Sequence, residues 1–361
     1  MKSIKKLITL LAVAVTLFPL FANATRTFAE EPIKMALLIS SRGDLSFNDS
    51  AAEGMERAKK DFGDKIDVTI LEIGNDPSNY EPTFLDTADA GYDVILTSSS
   101  LADFIYTYAP DYPDTQFWLF DVEFDFAKDP EAYKNVYSIV YKANEASFLG
   151  GYVAAAMSDT GVLGFLGGID QNIISDFLVG YIQGAKLANP DIKVITSYVG
   201  SWADSAKGKE LGFAMFNQNA SIAFNVAGGS GVGLIEAAVE SGKQVLGVDS
   251  DQAMIYESQG QEKMAKVIPT SVLKNVGDSL YRAVDLTLQG KLPLGTNETL
   301  GIAEGGVGLA DNHYFQEMVP KEVVEKVKEL QEKVIKGEIK IDSAYGMKQE
   351  EIEKIRSSVA P

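Results

Sequence analysis

From Ile33 to about Val267 the chain alternates short apolar runs, rich in β-branched and aromatic residues, with longer stretches whose apolar positions recur every three or four residues. Short apolar runs predict buried strands, and the helical period predicts helices packed against them. A first strand series covers Ile33–Ser40, Ile66–Ile73, Asp93–Thr97, Gln116–Phe120 and Val136–Tyr141. A second covers Val162–Leu166, Lys193–Tyr198, Ile222–Val226 and Val245–Val248. Helices are expected near Asn48–Phe62, Tyr80–Ala90, Leu101–Ala109, Glu145–Met157, Asp176–Ala188, Ala203–Asn217 and Gly231–Ser241. This alternation gives parallel sheets covered by helices on both faces. Two series suit two sheets, with the first crossing near Lys142. Further along, a strand is read at Ala265–Pro269 and a helix at Leu273–Gln289 that returns to the first domain. In Lys321–Lys336, the spacing of Val323, Val324, Val327, Leu330 and Val334 predicts a helix with an apolar docking stripe.

The length, 361 residues, also points to two domains, because single cores stop growing at roughly 250–300 residues. A net charge of −19 disfavours binding to nucleic acid polymers, whose phosphates it repels. There is no cysteine, which excludes disulfides, thiolate metal sites, cysteine nucleophiles and a lipid-bearing N-terminal cysteine. The single histidine, His313, leaves no clustered imidazole site. Neither a metal nor a cofactor is expected, and the chain does not read as an enzyme.

Lys2, Lys5 and Lys6 precede an apolar run from Leu7 to Phe21, followed by Ala22-Asn23-Ala24. That order is an export signal spanning 1–24, with Thr27-Phe28-Ala29 as an alternative cleavage pattern.

Three features carry candidate chemistry. Gly228-Gly229-Ser230-Gly231-Val232-Gly233 fails the dinucleotide, P-loop and nucleophile-elbow patterns, since Leu234 and Val232 stand where glycines are required. A Gly-rich turn between a strand and a helix remains, of the kind that brings backbone N–H groups to a ligand or simply makes a tight connection. Asp249-Ser250-Asp251 directly follows a strand. These acids are placed to accept hydrogen bonds from sugar hydroxyls, to cap a helix, or to join a divalent-cation site whose other ligands are not evident. Asp121 occupies the analogous place after Gln116–Phe120.

Several segments together resemble the basic membrane protein family, the PnrA-like purine-nucleoside-binding components of ABC importers. They are Ser40-Ser41-Arg42-Gly43-Asp44-Leu45-Ser46-Phe47-Asn48-Asp49-Ser50, Ala146-Ser147-Phe148-Leu149-Gly150-Gly151-Tyr152 and Gly164-Phe165-Leu166-Gly167-Gly168. Gly200-Ser201-Trp202-Ala203-Asp204, Lys207-Gly208-Lys209-Glu210 and Gly247-Val248-Asp249-Ser250-Asp251-Gln252 complete the set. The resemblance implies an α/β type I periplasmic-binding-protein fold of two doubly wound lobes joined by a multi-segment hinge. The expected lobes are 33–142 plus about 254–290, and 143–253 plus about 291–345, with a C-terminal tail at 346–361.

The resemblance also implies a site. Phe47 and Trp202 sandwich a nucleobase, Asp121 meets the base edge, and Gly228 lies in the Gly-rich turn. Asp249 and Lys274 take the ribose, and Asn48 lines the cleft mouth. Ser41 and Phe177 are weaker cleft candidates. Where the family usually has an Asp after its first strand, this chain has Ser40-Ser41, and Trp202 stands where Phe is more common. The implied function is capture of inosine-, guanosine- or adenosine-type nucleosides by a monomeric, soluble periplasmic or extracellular protein, for delivery to an ABC permease in the cytoplasmic membrane. The same clamp holding a sugar, autoinducer or amino acid is the alternative, with a nucleoside hydrolase as the reading from another class.

Overall fold

The computed structural model describes residues 31–361, so the segment 1–24 expected to be an export signal lies outside the described residues. Two six-stranded sheets dominate the fold. The first has the order β11-β5-β4-β3-β1-β2, with β1 Ile33–Ile39, β2 Ile66–Glu72, β3 Val94–Thr97, β4 Gln116–Phe120, β5 Val136–Tyr141 and β11 Thr296–Leu300. The second has the order β12-β10-β9-β8-β6-β7, with β6 Val162–Gly167, β7 Lys193–Tyr198, β8 Ile222–Val226, β9 Gln244–Asp249, β10 Ser271–Lys274 and β12 Val307–Leu309. The recorded pairings are parallel, apart from the antiparallel pairing of β12 with β10. Strands β3, β5 and β8 are buried at every position, as strands covered by helices on both faces must be. The two doubly wound α/β lobes expected from the sequence are therefore present.

The chain passes between the lobes at three places. It leaves the first sheet after Tyr141 and enters helix Ala143–Met157, which packs on helix Asn172–Ala188 of the second lobe. It returns after β10, when helix Val276–Leu288 packs on helix Phe47–Phe62, and it leaves again between β11 and β12. Hydrogen bonds tie the crossings to one another. Ile302 N–H donates to Glu145 Oε2 at 2.9 Å, and Asn275 N–H donates to the Gly306 carbonyl, also at 2.9 Å.

Strand membership departs from the expected boundaries in two places. Residues 254–274 belong with the second lobe, since Tyr256, Ala265 and Ile268 share its apolar cluster and β10 pairs with β9. Strand β11, expected in the second lobe, pairs with β5 in the first. The strand read at Ala265–Pro269 lies instead at Ser271–Lys274, and the helix after it starts at Val276. Pro269 explains the shift, because it has no N–H to give a ladder. The docking stripe of the helix at Lys321–Ile335 is buried and faces helix Ala143–Met157. The segment read as a tail contains helix Gln349–Ser357, which packs on helix Asn172–Ala188. Among the described residues no helix is long and apolar enough to cross a membrane.

Candidate functional site

The C-terminal ends of both sheets face a cavity of about 310 Å³, the place where open α/β sheets hold ligands. Ser41, Phe47, Asn48 and Asp121 line it from the first lobe, and Phe177, Trp202, Gly228, Asp249 and Lys274 from the second. The nine residues singled out in the sequence thus surround one space.

Its charged end is built from three strand ends. Asp121 follows β4 and Asp249 ends β9, and both adopt left-handed backbone, with φ of 64° and 61°. That conformation is costly for most residues but tolerated by Asp. Lys274 ends β10 rather than lying in the expected helix Leu273–Gln289, and it is only 3% exposed. Its Nζ donates to Asp121 Oδ2 at 2.5 Å and lies 4.0 Å from Asp249 Oδ1. The ammonium also sits 4.6 Å from the Phe177 ring centre and 5.4 Å from that of Phe47. Burial pushes the pKa of both carboxyls up, and the nearby Lys274 charge partly opposes this. Asp121 Oδ1 is buried and has no hydrogen-bond partner among the described residues.

The aromatic groups come from opposite lobes. Phe47 opens helix Phe47–Phe62, and its ring centre lies 5.5 Å from that of Phe120. Trp202 lies in the connection after β7, where a Cβ on Gly168 would stand 2.2 Å from its ring. Glycine at 168 therefore makes the indole's position available. The Gly-rich turn holds this connection from below. Ser230 N–H donates to the Trp202 carbonyl at 3.0 Å, and Ser230 Oγ donates to the Ser201 carbonyl at 2.8 Å. Gly228 itself has a φ of 55°. The turn thus serves to place Trp202, a role its glycine spacing did not reveal.

The segment Gly43–Asp49 supplies residues that sequence reasoning missed. Asp44 accepts from the N–H groups of Ser46, Asn48 and Asp49, fixing the start of the Phe47 helix. Burial pushes its carboxyl up to about 6. Ser46 Oγ donates to Asp249 Oδ2 at 2.5 Å, across the two lobes. Gln252 Nε2 donates to the Leu45 carbonyl at 3.2 Å in the same direction. These contacts join positions about 200 residues apart, and local pattern carries no signal of them. The cation-site reading of Asp249-Ser250-Asp251 gains nothing, since Asp251 caps helix Gln252–Ser258 and accepts from Asn312 Nδ2 at 2.7 and 3.0 Å.

Comparison with known proteins agrees with this architecture. Residues 33–344 match the family model Bmp, described as ABC transporter substrate-binding protein PnrA-like. Basic membrane protein A of Borreliella burgdorferi is 34% identical over 86% of this chain and 88% of its own. The ABC transporter nucleoside-binding protein BmpA of Lactococcus lactis is 31% identical over 89% of this chain and 92% of its own. An ABC transporter solute-binding protein from Aeropyrum pernix superposes with a TM-score of 0.74 at 26% identity, covering 91% of this chain and all of that one. The chain therefore belongs to the PnrA-like family of ABC transporter substrate-binding proteins, which hold a small molecule for a membrane permease and are not enzymes.

Proposed function

We propose that the protein captures purine nucleosides between its lobes and delivers them to an ABC import permease, acting as a monomer on the outer side of the cytoplasmic membrane. The observation that carries this reading is the joint lining of one cavity by two aromatic residues from opposite lobes and a buried carboxylate–lysine–carboxylate group. A nucleoside has two flat apolar faces and a hydroxyl-bearing sugar. Phe47 and Trp202 cover the faces, at roughly 1–3 kcal/mol per stacked base. The carboxylates accept from the sugar hydroxyls in charge-assisted hydrogen bonds, and Lys274 offsets their charge. A ligand that touches both lobes favours the closed arrangement, which is how occupancy is reported to a permease. The relative named as nucleoside-binding supports the same choice.

Calorimetric titration with inosine and guanosine tests the proposal. The wild type binds both, while Trp202→Ala and Phe47→Ala bind at least about tenfold more weakly and stay folded. Their 5′-monophosphates bind poorly, because the phosphate brings close to two negative charges toward two acids. Absence of nucleoside binding, or tight binding of free ribose alone, would discard the proposal.

A further inference from the structure

After helix Lys321–Ile335 the chain runs back along helix Asn172–Ala188 and reaches the first crossing between the lobes. Gln183 of that helix holds the returning stretch through both ends of its amide. Its Nε2 donates to the Lys340 carbonyl at 3.0 Å, and its Oε1 accepts from the Asp342 N–H at 2.8 Å. Further along the same helix Asp176 is only 1% exposed, and both of its oxygens are engaged. Oδ1 accepts from Ser343 Oγ at 2.6 Å and from the Ala344 N–H at 2.9 Å, while Oδ2 accepts from the Asn144 N–H at 3.1 Å. Asn144 Nδ2 donates in turn to the Asp342 carbonyl at 3.0 Å. Asn144 stands just past Lys142, where the chain first leaves the first sheet.

The second-lobe side of this junction is stiff. A Cβ on Gly180 would stand 2.2 Å from the Asn144 carbonyl, so the two helices meet there backbone against backbone. Bending at this crossing is thereby confined to the residues before Asn144. Tyr345 continues the stretch toward the first lobe. Burial, with the nearby carboxylates of Asp121, Asp176 and Glu123, pushes its phenol pKa up, so the hydroxyl stays protonated beside two acids of that lobe. Phe177, the residue after Asp176, carries the ring that lies 4.6 Å from the Lys274 ammonium.

We infer that residues 339–345 form a strap across the hinge, anchored on Asp176, that favours the closed arrangement of the lobes. Asp176, Ser343 and Tyr345 are positioning residues: they stand outside the cavity lining and act through the crossing at Asn144 and through Phe177. A buried carboxylate with three donors is costly to leave unpaired, which makes it a firm anchor. The strap governs how far the lobes open whatever the ligand is, so it does not depend on the nucleoside reading.

Pulsed electron paramagnetic resonance on the full chain tests it. The chain has no cysteine, so spin labels on Asp86→Cys and Glu210→Cys, exposed positions in the first and second lobes, report the interlobe distance without background. The labelled parent is compared with Asp176→Asn, with the double variant Ser343→Ala/Tyr345→Ala, and with Ser343→Thr, each without ligand and with inosine. In Asp176→Asn one acceptor oxygen becomes an N–H₂ group that faces donors. This variant and the double variant lose population at the short distance, and inosine affinity falls by about tenfold as the closed fraction falls. Ser343→Thr keeps the hydroxyl and behaves as the parent. Circular dichroism melts identify folded variants, and the double variant decides alone if Asp176→Asn does not fold. Distances unchanged with and without inosine in the folded variants overturn the inference, and so does a Ser343→Thr variant that opens as far as the double variant. Lost short-distance population together with no inosine binding by the parent would support the strap while removing the nucleoside reading.

Discussion

Asp121 and Asp249 occupy matching places in the two lobes, yet their surroundings differ. Each stands at the C-terminal end of a strand in left-handed backbone, each is buried, and each has the Lys274 ammonium within 4.0 Å. The difference lies in the second oxygen. Asp249 Oδ2 accepts from Ser46 of the opposite lobe, whereas Asp121 Oδ1 has no partner among the described residues. One carboxylate is partly spent on holding the lobes together, and the other keeps its accepting capacity for whatever enters the cleft. Matching positions thus carry one carboxylate tied to the opposite lobe and one whose second oxygen is not.

Removing Lys274 is the harshest way to break this pair of acids. In Lys274→Met two buried carboxylates lose their common counter-charge, and breaking a buried ion pair by deleting one partner costs about 3–5 kcal/mol. Urea denaturation of the variant is expected to show that loss, and calorimetry is expected to show no nucleoside binding. The defect shrinks as the pH is lowered. The sign follows from burial: the folded-state pKa of each carboxyl is raised, so the folded chain takes up protons that the unfolded chain does not, and stability rises as pH falls. A variant as stable as the wild type that still binds would show that the charged group is dispensable.

The next test separates the two acids. Asp121→Asn weakens nucleoside binding by about 1.5–3 kcal/mol, the range for a hydrogen bond to a charged group, because its free oxygen is the one offered to the ligand. Asp249→Asn weakens binding less, and its effect is greater on inosine than on 2′-deoxyinosine. The four affinities for Asp249, wild type and variant against the two ligands, form a cycle whose coupling isolates the 2′-hydroxyl contact. Coupling near zero would remove the ribose assignment from Asp249, and equal losses at both acids would erase the distinction drawn between them.

The same pair shows what the sequence alone could reveal. An acid directly after a buried apolar run is visible in the chain, so Asp121 and Asp249 were identified from pattern, as were both sheets and the crossing after Tyr141. Family resemblance groups Lys274 with the other residues that line the cavity, whereas the apolar pattern puts it in the wrong element. Val267-Ile268 drew the strand too early, and only pairing with β9 beyond Pro269 fixes its true start. Strand β11, Thr296–Leu300, is polar and mostly exposed at a sheet edge, so it carries no apolar signal. Ser46, Asp44 and Ser230 could not be read at all. Each acts on a group brought near only by tertiary folding, and a serine 203 residues from its acceptor looks like any other loop serine.

The finest division between the two acids rests on that serine. Ser46→Ala deletes the hydrogen bond to Asp249 Oδ2 without touching Asp121, and thereby makes the two carboxylates alike in their second oxygen. The hydroxyl joins residues of opposite lobes, so its loss acts mainly on the closed arrangement, which it stabilises and which retains the ligand. The cost is bounded by one hydrogen bond to a buried carboxylate, about 1.5 kcal/mol, or roughly tenfold in affinity. Most of it is expected in the dissociation rate, because encounter with an open cleft does not involve the contact. Stopped-flow fluorescence, following Trp202 as nucleoside is displaced, measures that rate directly. Faster release with an unchanged association rate agrees with a contact that holds the lobes shut. An equal fall in association, or unchanged kinetics, would mean that Ser46 merely satisfies Asp249 locally, and the contrast between the two carboxylates would then lie in their ligand contacts alone.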